Sequence, residues 1–281
     1  AGTSQQPRTL IWKHRAMIQK CLKRAALALA ALCLAGCSKA ADGDTASETD
    51  SGSRSGLPKL GLVTSLPLYW PLDGEFDELA QGRGEKPWQR TLLQQRYELA
   101  PLDTLSPIPS LSPDEPETDP LAGLERLAII QPRGLSSADN VALDNWVRAG
   151  GDLLLVLDPV LSGDYDLPLG DPRRPTSSLL VPPVVKRWGL DITFSVYETW
   201  EGGIRDVALA DGGFVVVHGG ELIVVDESAA DCKLYAEDVI ADCSVGQGTV
   251  TLLADAALFE HSELAGENGE YLGLLLDFAF E

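Results

Sequence analysis

Apolar residues along this chain fall into short blocks separated by polar, Gly-rich and Pro-rich segments, and the blocks alternate between strand-like runs and helix-like spacing. Lys59 to Thr64 (KLGLVT) is a short apolar run followed by Pro67, which predicts a first buried strand. From Trp88 to Arg96 the residues Leu92 and Leu93, with Tyr97 beyond them, have helical spacing. A Pro-rich stretch over 105–120 offers too few backbone donors for helix or sheet and reads as a surface loop. Arg126 to Gln131 is again strand-like. Ser136-Ser137 can then cap a helix over Ala138 to Ala149, with Val141, Leu143, Trp146 and Val147 as its apolar face. Gly150-Gly151 ends that helix, because only glycine takes the left-handed position after a helix at no steric penalty. Asp152 to Leu157 (DLLLVL) is apolar on both faces, as a central parallel strand must be, so the unit is a βαβ crossover.

Further on, a helix is predicted over Ser177 to Trp188, irregular at Pro182-Pro183 and closed by Gly189 before a strand at Asp191 to Phe194. Phe214 to His218 and Glu221 to Val225 flank Gly219-Gly220, a two-residue hairpin signal. With a second hairpin between Cys232 and Cys243, this predicts a small antiparallel β excursion over about 195–245. Thr249 to Ala254 returns to the buried-strand pattern, and Tyr271 to Phe280 reads as a C-terminal helix. The fold class expected is therefore α/β: one domain over 57–281 with a mostly parallel sheet.

The segment before it has a different pattern. After Met17 comes a cationic stretch with Lys20, Lys23 and Arg24, then an apolar run from Ala25 to Leu34, about half the roughly 20 residues needed to span a bilayer. It ends in Leu34-Ala35-Gly36-Cys37, which resembles the lipobox of bacterial lipoproteins. The pattern after the single methionine reads as an export signal, with residues 1–16 as upstream translation, and the lipobox resemblance implies a signal peptide over 17–36 cut ahead of a diacylglyceryl-bearing Cys37 thiol. Residues 37–56, rich in Ser, Gly, Asp and Thr, form a flexible tether that cannot bury a core. Ser38 stands where Asp would favour inner-membrane retention. The expected address is thus the periplasmic side of the cell envelope, anchored to the membrane by lipid, the outer membrane before the inner.

The net charge is −20, and all 42 acidic residues and 16 of the 22 basic ones lie from Cys37 onward. So acidic a chain repels phosphate backbones and anionic headgroups, which excludes nucleic acid as a partner. Of the 5 cysteines, Cys21 and Cys33 lie in the signal and Cys37 carries the anchor, which leaves Cys232 and Cys243 for an oxidising compartment. If Glu237-Asp238 form a hairpin loop, the register sets 232 opposite 243, at a separation a disulfide accepts. Zinc is the competing use, but neither His218 nor His261 has ligand spacing to them. No metal and no cofactor is expected.

Arg126 to Pro159 (RLAIIQPRGLSSADNVALDNWVRAGGDLLLVLDP) resembles the auxiliary proteins of gliding-type ABC transport systems, and Gly246 to Leu264 (GQGTVTLLADAALFEHSEL) resembles the closing strand of the same family. The resemblance implies a flavodoxin-like, class I glutamine-amidotransferase-like layout and ABC permease or ATPase partners. Where amidotransferases of this kind place a nucleophilic cysteine, the chain has Asp158-Pro159, and it contains neither G-x-C-x-G nor G-x-S-x-G. The expectation is a non-catalytic accessory protein of an envelope transport system.

The alternative is a hydrolase using the carboxylates of Asp158 and Asp255, each of which ends a buried-pattern strand, with or without a divalent cation. The plainer role for both is to cap the following turn. His218 is expected on an exposed hairpin, and His261 on a loop without a partner. Tyr69, Trp70, Trp88 and Trp200 read either as core or as rim aromatics for a glycan or protein surface, and Arg173-Arg174 either as a solvated loop or as a dock for an acidic partner.

Overall fold

The structure is a computed structural model, and it describes residues 56–72, 85–112, 114, 116–177, 179–194, 203–210 and 212–280. The expected signal peptide, Cys37, most of the expected tether and Trp200 lie outside the described residues. Strands β1 (Lys59–Thr64), β2 (Glu98–Pro101), β3 (Arg126–Ile130), β4 (Asp152–Val156) and β11 (Gly248–Leu253) are all parallel, in the order β2-β1-β3-β4-β11. β10 (Ile240–Val245) and β9 (Asp231–Tyr235) extend this sheet antiparallel, which makes seven strands. The architecture is α/β with a mostly parallel central sheet.

Both faces of the sheet are covered, which explains the unbroken apolar runs. Along β3, Leu127 and Ile129 enter one core while Ala128 and Ile130 enter the other. On the first face lie α2 (Ser137–Arg148) and α3 (Pro183–Arg187), which bury Leu143, Val147, Val184 and Val185 with Trp188. On the second lie α1 (Trp88–Arg96) and α6 (Glu270–Phe280), contributing Leu93, Leu272, Leu275 and Leu276. Two short helices, α4 (Ala257–Glu260) and α5 (Ser262–Ala265), follow β11. Among the described residues no helix is long and apolar enough to cross a membrane.

The start of α2 is fixed by a reciprocal cap. Ser136 accepts from the Asp139 N–H, and the Asp139 carboxylate accepts from the Ser136 N–H. Further Asp139 bonds come from Thr104 Oγ1 and from the N–H groups of Leu105 and Ser106. One helix cap thereby ties down the head of the Pro-rich loop, whose one bridge joins Ile108 to Thr118.

Three sequence expectations need correction. The helix foreseen over Ser177 to Trp188 is confined to α3, since Pro182 and Pro183 set its first turn and the residue before a proline is pushed out of the helical region. Gly219-Gly220 is not a hairpin turn: β7 (Gly212–Val217) pairs with β6 (Ile204–Leu209), while β8 (Glu221–Val224) pairs with β5 (Leu190–Thr193). Glycine is required at 219 because a Cβ there would sit 2.5 Å from Val216 Cγ1 and 3.2 Å from Asp255 Oδ2. The cysteine hairpin is not part of an excursion either. The tight turn between Val245 and Gly248 keeps β10 beside β11, so β9 and β10 continue the main sheet. Within that hairpin Cys232 pairs with Cys243, bonded, with Cα atoms 4.0 Å apart.

Candidate functional site at the strand ends

The carboxyl ends of β4 and β11 are neighbours, so Asp158 and Asp255 meet, both fully buried. Asp158 accepts from the N–H of Val160 (2.7 Å) through Oδ1 and from that of Ala256 (2.8 Å) through Oδ2. Asp255 accepts from Ala257 (2.8 Å) through Oδ1 and from Val217 (2.8 Å) through Oδ2. Each carboxylate therefore caps its own turn and reaches across to another strand end. Burial, then the charge of Asp255, holds the Asp158 carboxyl well above the usual carboxylate range. Burial pushes the Asp255 carboxyl up to about 7, with backbone bonds from Ala257 and Val217 opposing and the charge of Glu260 adding to it.

Behind them stands Gln131, buried at the end of β3 with φ of 44°. Its side-chain oxygen accepts from the Asp158 N–H (2.8 Å), and its amide donates to the carbonyls of Asp158 and Thr176. Ser65 Oγ, just past β1, donates to the Gln131 carbonyl (2.5 Å). A left-handed, non-glycine residue buried at a strand end stores strain, and this one is held by bonds on both sides.

The accessible edge of the cluster comes from residues with no sequence motif. Glu260, at the end of α4, accepts from the Ser162 N–H (2.8 Å), the Ser162 hydroxyl (3.0 Å) and the Tyr165 hydroxyl (2.6 Å). Ser162 Oγ also lies 2.9 Å from His261 Nε2, and His261 Nδ1 lies 3.9 Å from Glu263 Oε1. Gly163 permits this approach, since a Cβ there would be 2.7 Å from Glu260 Oε1. Burial and the charge of Glu260 hold the Tyr165 hydroxyl protonated, above its ordinary range. The His261 ring is 27% exposed. Ser162 Oγ is thus in contact with an imidazole that is itself faced by a carboxylate, an arrangement compatible with nucleophilic chemistry.

His261, expected to lack a partner, thus has Ser162. His218 is half-buried at the end of β7 with φ of 58°, its N–H bonded to the Gly203 carbonyl, so it is no exposed hairpin residue. Arg90 stacks over Tyr69 at 3.9 Å, with Trp70 at the outside of the group and 55% exposed. Trp88 lies on α1, the helix that also carries Arg90, and packs with Tyr69 against the same core. Arg174 donates to the carbonyls of Tyr165 and Leu167, and Arg173 pairs with Asp171, so the arginine pair braces its own loop. Among the described residues no group of three or more His, Cys, Asp or Glu could hold a metal ion. Ser162, Tyr165, Glu260 and Gln131 were not singled out by sequence reasoning. The Ser-Gly pair four residues after Asp158 is the one local hint.

No family model and no curated protein matches the chain. Among solved structures it is similar to an exo-β-1,4-mannosidase from Opitutaceae bacterium strain TAV5 (15% identity, TM-score 0.43, 80% of this chain and 36% of that one). It is also similar to β-galactosidases from Rahnella sp. R3 (10% identity, TM-score 0.43, 79% and 31%) and Bacillus circulans sp. alkalophilus (11%, 0.39, 77% and 31%). The chain spans about a third of the length of these proteins. At such identities and TM-scores neither their activity nor their fold carries over. What these matches correct is the resemblance: they are glycoside hydrolases, where Arg126 to Pro159 and Gly246 to Leu264 implied transport auxiliaries of amidotransferase type. The ABC-accessory and non-catalytic readings fall with it. The physical reason is that sequence order scatters the acid, base and hydroxyl groups that β4 and β11 bring together.

Proposed function

We propose that this protein is a hydrolase that transfers an acyl group to the Ser162 hydroxyl. The observation that carries the reading is the 2.9 Å contact between Ser162 Oγ and His261 Nε2 at the carboxyl edge of the sheet, where open α/β sheets bind ligands. In the first step the Ser162 hydroxyl turns its one proton from Glu260 to His261 Nε2, Oγ forms a bond to the acyl carbon, and His261 Nε2 takes the proton. The leaving group departs with that proton. Water then attacks the acyl-serine while His261 takes a proton from it, the acid is released, and His261 passes that proton to Ser162. Glu263 faces the imidazolium across 3.9 Å and offsets its charge. Asp158 and Asp255 have no exposure to a substrate and hold backbone N–H donors on all four oxygens, so their part is to lock the loops that carry Ser162 and His261.

The strand order β2-β1-β3-β4-β11 supports a flavodoxin-like reading of the sheet. The lipid anchor at Cys37 and the periplasmic address remain part of the proposal, and labelling with a palmitate analogue that is lost in Cys37→Ser checks them.

The experiment is hydrolysis of 4-nitrophenyl acetate together with labelling by a fluorophosphonate probe. Ser162→Ala is expected to lose at least about 10³-fold in kcat and all labelling, and His261→Ala a comparable rate. Turnover that survives Ser162→Ala would show that the hydroxyl is not the nucleophile.

A further inference from the structure

A cavity of about 640 Å³ lies between α1 and α5. From α1 and its approach come Trp88, Leu92 and Lys86, and from α5 and the turn after it come Ser262, Glu263 and Glu267. Glu263 belongs to both places, since its Oε1 is also the group 3.9 Å from His261 Nδ1. A ligand in the cavity therefore sits on the Nδ1 side of the His261 ring, with Ser162 across the ring at Nε2.

The lining selects among ligand chemistries. An aromatic side chain gives a flat apolar surface for the C–H face of a ring, and carboxylates and hydroxyls bind ring hydroxyls. An anionic ligand meets Glu263 and Glu267 in a chain of net charge −20 and is repelled. A cationic ligand meets Lys86 on the same wall as Trp88. What satisfies all six residues is an uncharged ring rich in hydroxyl groups.

We propose that this cavity is a sugar subsite and that the ester cleaved at Ser162 is an O-acyl sugar; the second half rests on the hydrolase reading above. The bond that breaks joins the acyl carbon to a sugar oxygen. The acyl group passes to Ser162 Oγ, and the sugar oxygen leaves with the proton that His261 took from Ser162. Water completes the cycle.

Binding and turnover are measured separately on the full chain: calorimetric titration with cellobiose, and hydrolysis of 6-O-acetylglucose beside ethyl acetate. Cellobiose is expected to bind saturably, about tenfold or more weakly in Trp88→Ala and within about threefold of wild type in Trp88→Phe. Glu267→Ala, on an exposed turn, supplies a second variant that weakens binding should Trp88→Ala fail to fold. The sugar ester is expected to be preferred over ethyl acetate by about 10²-fold in kcat/KM. Absent cellobiose binding, binding unmoved by both Trp88→Ala and Glu267→Ala, or binding of ethylammonium in place of cellobiose overturns the subsite. Cellobiose binding without any ester turnover leaves the subsite standing and overturns the hydrolase reading. Ester turnover without a sugar preference leaves the hydrolase reading standing and overturns the O-acyl sugar as its substrate.

Discussion

Asp139 and Asp158 follow neighbouring strands of one sheet, yet the protein drives their carboxyls in opposite directions. Asp139 sits in the first turn of α2, where burial opposes its ionisation. Hydrogen bonds from Ser136, Thr104, Leu105 and Ser106 outweigh that burial and hold the group below the usual carboxylate range. Asp158 receives two backbone donors, is completely buried and faces a second carboxylate, and its carboxyl is held high. The number of donors and access to water decide the sign. A carboxylate with several donors near the surface is a charged clamp, and one with two donors in the core is a clamp that keeps its proton to higher pH.

The largest effect is expected at the buried clamp. Asp158→Ala leaves the N–H groups of Val160 and Ala256 without acceptors in the core, at about 4 kcal/mol. Asp158→Asn keeps one acceptor but turns its amide toward the other N–H, and should cost less. Urea denaturation measures both. A loss in Asp158→Ala no greater than in Asp139→Ala would break the comparison.

At the exposed clamp, Asp139→Ala removes the acceptor that joins the α2 cap to the Pro-rich loop, and about 2–3 kcal/mol should go with it. Asp139→Asn should recover part of that, because its amide oxygen still accepts from one set of donors.

The smallest and most diagnostic effect is the pH slope. Asp255 holds its proton in the folded state up to about pH 7, whereas the unfolded chain releases it near 3.8. Between those values the folded protein binds more protons than the unfolded one, so this contribution to stability is full below the unfolded value, falls as pH rises toward 7, and is flat above. The slope is about 1.4 kcal/mol per pH unit for each proton. Asp139 has the opposite sign, its contribution being lost as pH falls below the ordinary carboxylate range. Denaturation series at pH 5, 6 and 7 should show declining stability in the wild type and a shallower decline in Asp255→Asn; equal slopes in the two proteins would show that the Asp255 carboxyl is not held high by the fold.

The sequence by itself determined what depends on residues close together in the chain. The crossover from β3 through α2 to β4 was legible because capping residues, helical spacing and a fully apolar strand lie within one short segment. The facing of Cys232 and Cys243 was legible for the same reason, since a hairpin register follows from where its turn falls. Local signals misled where a distant partner won: Gly219-Gly220 reads as a hairpin, but the chain there passes against Asp255, and β7 and β8 each pair elsewhere. The candidate site was illegible for a stronger reason. Ser162 and His261 are 99 residues apart, with neither a motif nor a period to connect them. Their contact exists because β4 and β11 lie side by side in the sheet, and that adjacency is settled by burial of whole strands between two helical layers.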